Sequence, residues 1–83
     1  MFSVYVIYSS DYNRRYTGLT NDVEKRVGQH NAKQNRSTKS YTPWKLILVE
    51  SFETREEARR REKYLKSGIG REYIDNLLRI TPL

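Results

Sequence analysis

The chain contains no cysteine, which removes a disulfide framework, a thiolate metal site and a cysteine nucleophile at once. A metal ion here must be held by oxygen or by the one histidine, His30. Long apolar runs are missing too. Nothing approaches the roughly 20 residues of a transmembrane helix, and the opening Met1-Phe2-Ser3-Val4-Tyr5-Val6-Ile7-Tyr8 has neither a basic leader nor a small-residue cleavage site. A cytoplasmic protein with no membrane partner is therefore expected. There is no internal repeat and no low-complexity tract. Eighty-three residues leave room for one domain, residues 1–83, and not for a second. With 36% hydrophobic residues and a mean hydropathy of −0.90, the core has to be small.

Positive charge is in excess. Sixteen Lys and Arg against ten Asp and Glu leave a net charge of +6, which favours a polyanionic partner, although a basic surface can also serve solubility alone. Ten of the sixteen cations are arginine, whose fixed fork suits phosphate oxygens, so the balance tilts toward nucleic acid.

Phe2 to Tyr8 is rich in β-branched and aromatic residues, and Ser9-Ser10-Asp11-Tyr12-Asn13 is turn-like, predicting a hairpin with a second strand near Arg14 to Leu19. Asn21 with Glu24 has the form of a capping pair, and Val23 and Val27 follow at helical spacing, predicting a helix over Asp22 to Lys33. After a polar loop from Gln34 to Pro43, Trp44 to about Phe52 reads as a third strand. Thr54 with Glu57 repeats the capping pattern and opens a second helix ending near Ser67-Gly68. Gly70 to Ile80, with Ile74, Leu77 and Leu78 on one stripe, reads as a third. The order β-β-α-β-α-α predicts an α+β domain of the broad α/β class, a three-stranded, largely antiparallel sheet flanked by helices.

Several side chains then fall into candidate positions. An even-numbered hairpin loop such as Ser10 to Asn13 puts Tyr16 opposite Ile7 and on the face of Tyr5, whereas an odd one separates the two tyrosines. The alternative is that both are ordinary strand aromatics. Gly18 stands where strand gives way to loop, suited to positive φ, to close approach of a phosphate or to a plain turn. Arg26 and His30 are four apart on one helix face, beside the Val23–Val27 stripe. Arg26 is either a solvated helix residue or a cation aimed at the sheet margin, and a lone histidine is as often structural as catalytic. Glu62 lies between Ala58 and Leu65 on the inward stripe of the second helix, so its carboxylate needs a partner. Arg26, Arg59 or Lys66 could pair with it, or a divalent ion could, since Mg²⁺ commonly takes only one or two protein carboxylates. The loop Asn35-Arg36-Ser37-Thr38-Lys39-Ser40-Tyr41 mixes cations, hydroxyls and an aromatic, which suits phosphate contact and base stacking by Arg36, Lys39 and Tyr41, or simply a flexible loop. Arg59-Arg60-Arg61 reads as a solvated helix face, with Arg59 or Arg60 able to extend a phosphate track.

In order along the chain, Ser3-Val4-Tyr5, Tyr16-Thr17-Gly18, the run from Asp22 to Asn31 with Arg26 and His30, and Glu57 to Lys63 with Glu62 resemble the GIY-YIG nuclease domain. More narrowly they are similar to its small stand-alone bacterial members of the UPF0213 type. The likeness runs from about Val4 to about Lys66. It departs from the family pattern at Ser3 and Val4, where Gly and Ile would stand, and at Leu19, where some relatives carry a basic residue. The family's asparagine after the second helix has only a distant candidate in Asn76.

The resemblance implies the same fold and a metal-dependent endonuclease. Glu62 would anchor Mg²⁺ or Mn²⁺ on the scissile phosphate, Arg26 would neutralise that phosphate, and Tyr5, Tyr16 and His30 would position and deprotonate water. Gly18, Arg36, Lys39, Tyr41 and Arg59 would contact the nucleic acid, DNA in preference to RNA, in a monomer. With no separate recognition module in the chain, structure-dependent or weakly specific cleavage is expected. Two other classes stay open: a catalytically silent nucleic-acid-binding module on the same scaffold, and a protein-interaction domain using the basic surface.

Overall fold

In the computed structural model, which describes residues 1–80, the strand β1 (Phe2–Ser9) is buried on both sides. Val4 and Val6 are fully buried on one face, and Tyr5 and Ile7 on the other. That is why its sequence lacks a polar alternation: it is the central strand of a three-stranded sheet ordered β2-β1-β3. β2 (Arg14–Thr20) pairs antiparallel with it, and the turn between them has Asn13 at φ 50°, a left-handed conformation that asparagine tolerates. Ser9 pairs with Arg14 across a four-residue loop, so Tyr16 stands opposite Ile7 and Gly18 opposite Tyr5. β3 (Lys45–Phe52) pairs antiparallel on the other edge, with a bulge between Val6 and Ile7. The sheet is thus wholly antiparallel.

The helix α1 (Val23–Asn31) starts one residue later than the Asn21 cap predicts. The Asp22 amide donates to Thr20 Oγ1 at 3.1 Å, which accompanies an extended Asp22, and Asp22 Oδ1 then accepts from the Lys25 amide at 3.2 Å. The helix also ends two residues early, because Lys33 turns left-handed at φ 63°. Its last residue, Asn31, clamps the far side of the loop. The Trp44 amide donates to Asn31 Oδ1 at 2.7 Å and Asn31 Nδ2 donates to the Trp44 carbonyl at 3.1 Å, so β3 begins at Lys45.

Thr54 caps α2 (Arg55–Lys66) through its hydroxyl, as the sequence predicts. α3 (Gly68–Ile80) follows at once, two residues sooner than expected, with Ser67 Oγ accepting from the Gly70 amide. A Cβ on Gly70 would collide with the Tyr64 carbonyl, so the tight corner between these helices requires glycine there. Both helices cover one face of the sheet, packing Ala58, Leu65 and Ile74 on Val4 and Val6. On the other face Val23, Val27 and Trp44 pack on Tyr5 and Ile7. Among the described residues no helix is long and apolar enough to cross a membrane.

Candidate active site

Tyr5 sits on the central strand, yet its hydroxyl has to reach a cleft at the sheet edge, and the missing side chain of Gly18 makes this possible. A Cβ at Gly18 would stand 2.5 Å from Tyr5 Oη and 2.6 Å from Cζ, so the ring lies across the glycine. No glycine has positive φ among the described residues, and Gly18 lies within β2 paired with Tyr5, which sets aside the positive-φ and turn readings. The close approach that glycine permits is made by an aromatic ring of the same protein.

From there Tyr5 Oη meets His30 Nε2 at 2.8 Å, and His30 Nδ1 meets Thr38 Oγ1 at 2.7 Å. His30 is completely buried and Thr38 nearly so. The Tyr16 ring lies 4.9 Å from the imidazole and 6.3 Å from the Tyr5 ring, centroid to centroid. Thr38 is held in turn by Trp44, whose Nε1 donates to its carbonyl at 2.9 Å. Burial pushes the His30 pKa below its ordinary value and the nearby Arg26 charge pushes the same way, so the ring is neutral at pH 7. A neutral imidazole has one N–H and one lone pair, and both nitrogens face hydroxyls, so the three groups form one connected proton path. Burial likewise raises the Tyr5 pKa, with Tyr16 and Glu62 adding to the rise, while the neighbouring Arg26 guanidinium acts in the opposite direction without cancelling it. Tyr5 therefore rests in its protonated form.

Above this path opens a cleft of about 510 Å³ between α1, the β2 edge and the first half of α2. Tyr5, Tyr16, Gly18, Arg26, Arg59 and Glu62 all line it. His30 does not; it lies behind Tyr5 and reaches the cleft only through that hydroxyl. Arg36 and Lys39 are exposed and stand outside the cleft, and the Tyr41 ring packs against the Tyr5–Ile7–Trp44 cluster with Arg14 over it at 4.6 Å and Tyr12 edge-on at 5.5 Å. That loop reaches the site through Thr38 instead.

Three participants were not singled out from sequence. Lys25 and Arg55 add cations to the two walls of the cleft. The signal for Arg55 was present, since Arg55, Arg59 and Glu62 follow at i, i+4 and i+7 on one helix face. Thr38 left no signal, being one hydroxyl among several in a polar loop.

Glu62 keeps only 15% of its side chain exposed, and Lys66 Nζ contacts its Oε2 at 3.2 Å. With the Lys66 end of this i,i+4 pair open to solvent, it contributes only about 0.3–0.5 kcal/mol, too little to withhold the carboxylate from a divalent cation. No cluster of three or more carboxylate or imidazole groups suited to a metal exists among the described residues. A closed protein cage is therefore not available. A hard cation that keeps several waters and takes one carboxylate plus substrate oxygens fits this donor set.

The fold agrees with what comparison with known proteins finds. The GIY-YIG catalytic domain model matches residues 1–73, and the chain belongs to that family, whose membership implies nuclease activity in general. Within it the chain groups with the UPF0213 proteins. It is 46% identical over 67 residues to a UPF0213 protein of Halobacterium salinarum, covering 80% of this chain and 86% of that one. It is 46% identical over 63 residues to the UPF0213 protein YazA of Bacillus subtilis, covering 75% and 63%. The solution NMR structure of the UPF0213 protein BH0048 from Bacillus halodurans superposes with a TM-score of 0.55 at 31% identity, covering 93% of this chain and 85% of that one. These names carry no activity or metal dependence.

Proposed function

We propose that the cleft hydrolyses phosphodiester bonds of nucleic acid, with structure-dependent or weak sequence specificity. The observation that carries this reading is the 2.8 Å bond from Tyr5 to a buried, neutral His30 directly beneath a cleft walled by Lys25, Arg26, Arg55 and Arg59 and containing Glu62.

Arg26 meets the scissile phosphate and offsets the charge that grows on it in the transition state. Lys25 on one wall and Arg55 and Arg59 on the other hold the flanking backbone. Water sits against the Tyr5 and Tyr16 hydroxyls. Because the Tyr5 pKa is raised, a free tyrosinate is not populated near neutral pH. Tyr5 instead takes the water proton as it passes its own to His30 Nε2, while the Nδ1–H donates to Thr38 Oγ1. His30 thereby becomes an imidazolium, its charge developing only as the hydroxide forms and held by the Nδ1–H bond to Thr38 Oγ1. As the hydroxide bonds to phosphorus the P–O ester bond breaks, and the leaving oxygen takes a proton from solvent. Glu62 would hold Mg²⁺ or Mn²⁺, which when bound supplies positive charge to the phosphoryl oxygens.

A cleavage assay on nicked, branched, single-stranded and duplex DNA, with the corresponding RNA and with or without Mg²⁺, tests the proposal. Metal-dependent products from at least one form are expected. Binding without cleavage of any form would make the chain a nucleic-acid-binding module on a nuclease scaffold.

A further inference from the structure

Tyr16 is a shared wall. On its far side lies a second cavity of about 350 Å³, enclosed by the start of β2 and by Leu65, Lys66, Arg71 and Ile74 of α2 and α3. Four cations line it, Arg14, Arg15, Lys66 and Arg71, and no carboxylate does. Arg15 Nη2 bonds Asp75 at 2.6 Å, but Arg15 Nε is buried without a partner, a donor left over beside a cavity that could hold an acceptor. Together the two cavities carry eight of the sixteen cations of the chain and only two of its ten acids, Asp22 and Glu62. The excess equals the whole net charge of +6, so the remaining surface is balanced and the positive field is concentrated here.

We infer that the second cavity binds the phosphodiester backbone of the nucleic acid flanking the scissile phosphate, so that the strand passes from the cleft over Tyr16 toward Arg71. This rests on the nuclease reading above. From Gly18 to Arg14 the β2 edge runs about 13 Å at the usual rise per residue, roughly four base-pair steps of duplex. The footprint is therefore longer than the catalytic cleft. Arg14 is steadied for this by its position over the Tyr41 ring, which gives that aromatic a role distinct from base stacking.

The test is a salt titration of binding to a fluorescent duplex of about 20 base pairs in Ca²⁺, comparing wild type with Arg71→Ala and with Arg14→Ala/Arg71→Ala. Both residues are exposed, and a thermal melt checks that the variants stay folded. Each lost contact should flatten the log–log salt slope by about 0.9, so the double variant should lose about 1.8. Wild type that binds with a slope indifferent to both substitutions overturns this inference and leaves the nuclease reading intact. Wild type that binds no nucleic acid at low salt overturns both. Polyglutamate bound as tightly as the duplex, and weakened equally by Arg71→Ala, would assign the cavity to an acidic peptide and also overturn it.

Discussion

The Tyr5 hydroxyl lies 2.5 Å from where a Cβ of residue 18 would project, closer than the two could stand, so Gly18 and Tyr5 form a matched pair across β1 and β2. Gly18→Ala should push the ring off its site and break the 2.8 Å contact with His30. Overpacking of this kind costs about 1–3 kcal/mol. A thermal melt should show that loss with the fold retained, and cleavage should fall with it. Cleavage unchanged by Gly18→Ala would show that the position of the Tyr5 hydroxyl does not matter.

Thr38 and His30 give a second test. Thr38→Val keeps the shape and removes the one hydroxyl at Nδ1, leaving a buried ring nitrogen unpaired at about 1–3 kcal/mol. Thr38→Ser should restore the bond. If Thr38 sets the tautomer, ¹⁵N chemical shifts of the His30 ring should change in Thr38→Val and return in Thr38→Ser, and the cleavage rate should follow the shifts. A rate that tracks melting temperature alone would reduce Thr38 to packing.

The two buried groups also set a pH window. His30 has a folded pKa below 6.5, so the unfolded chain binds more protons there and stability is lost as pH falls below about 6.5. Tyr5 has a folded pKa above 10.0, so its contribution is lost as pH rises beyond about 10. Melting temperature should be highest between these limits. His30→Gln should flatten the acid side and Tyr5→Phe the alkaline side, as seen in melts from pH 4 to 11.

The hairpin was legible in the sequence because side-chain alternation turns loop parity into facing, and a four-residue turn leaves Tyr5 and Tyr16 on one face. Helix ends were less so. The Asp22 cap depends on a bond from its amide to Thr20 Oγ1, and the Lys33 turn on a backbone torsion, neither of which periodicity encodes. Tyr5, Tyr16, Arg26 and Glu62 came together as motif order suggests, but depth did not follow from spacing. His30 sits behind the cleft because the sheet and the Trp44 loop close over it. Arg36, Lys39 and Tyr41 shared a loop with Thr38, yet only Thr38 turns inward to the site.

Glu62 and Arg26 should separate metal binding from charge neutralisation. Glu62→Gln keeps volume and removes the charge, so it should weaken Mn²⁺ binding measured by calorimetry in the presence of duplex. Arg26→Ala should leave Mn²⁺ affinity nearly unchanged while cleavage falls about 10²–10³-fold. Equal Mn²⁺ affinity in wild type and Glu62→Gln would place the metal elsewhere.

The most direct measurement is the single-turnover cleavage rate of Tyr5→Phe against wild type, in Mg²⁺ and on whichever DNA form wild type cleaves. The substitution removes one oxygen and keeps the ring across Gly18, so binding and fold should stay near wild type. A rate lower by about a hundredfold or more, within the usual range for losing general acid–base catalysis, is the expected result. A Tyr5→Phe protein that cleaves as fast as wild type would contradict the proton path from Tyr5 through His30 to Thr38.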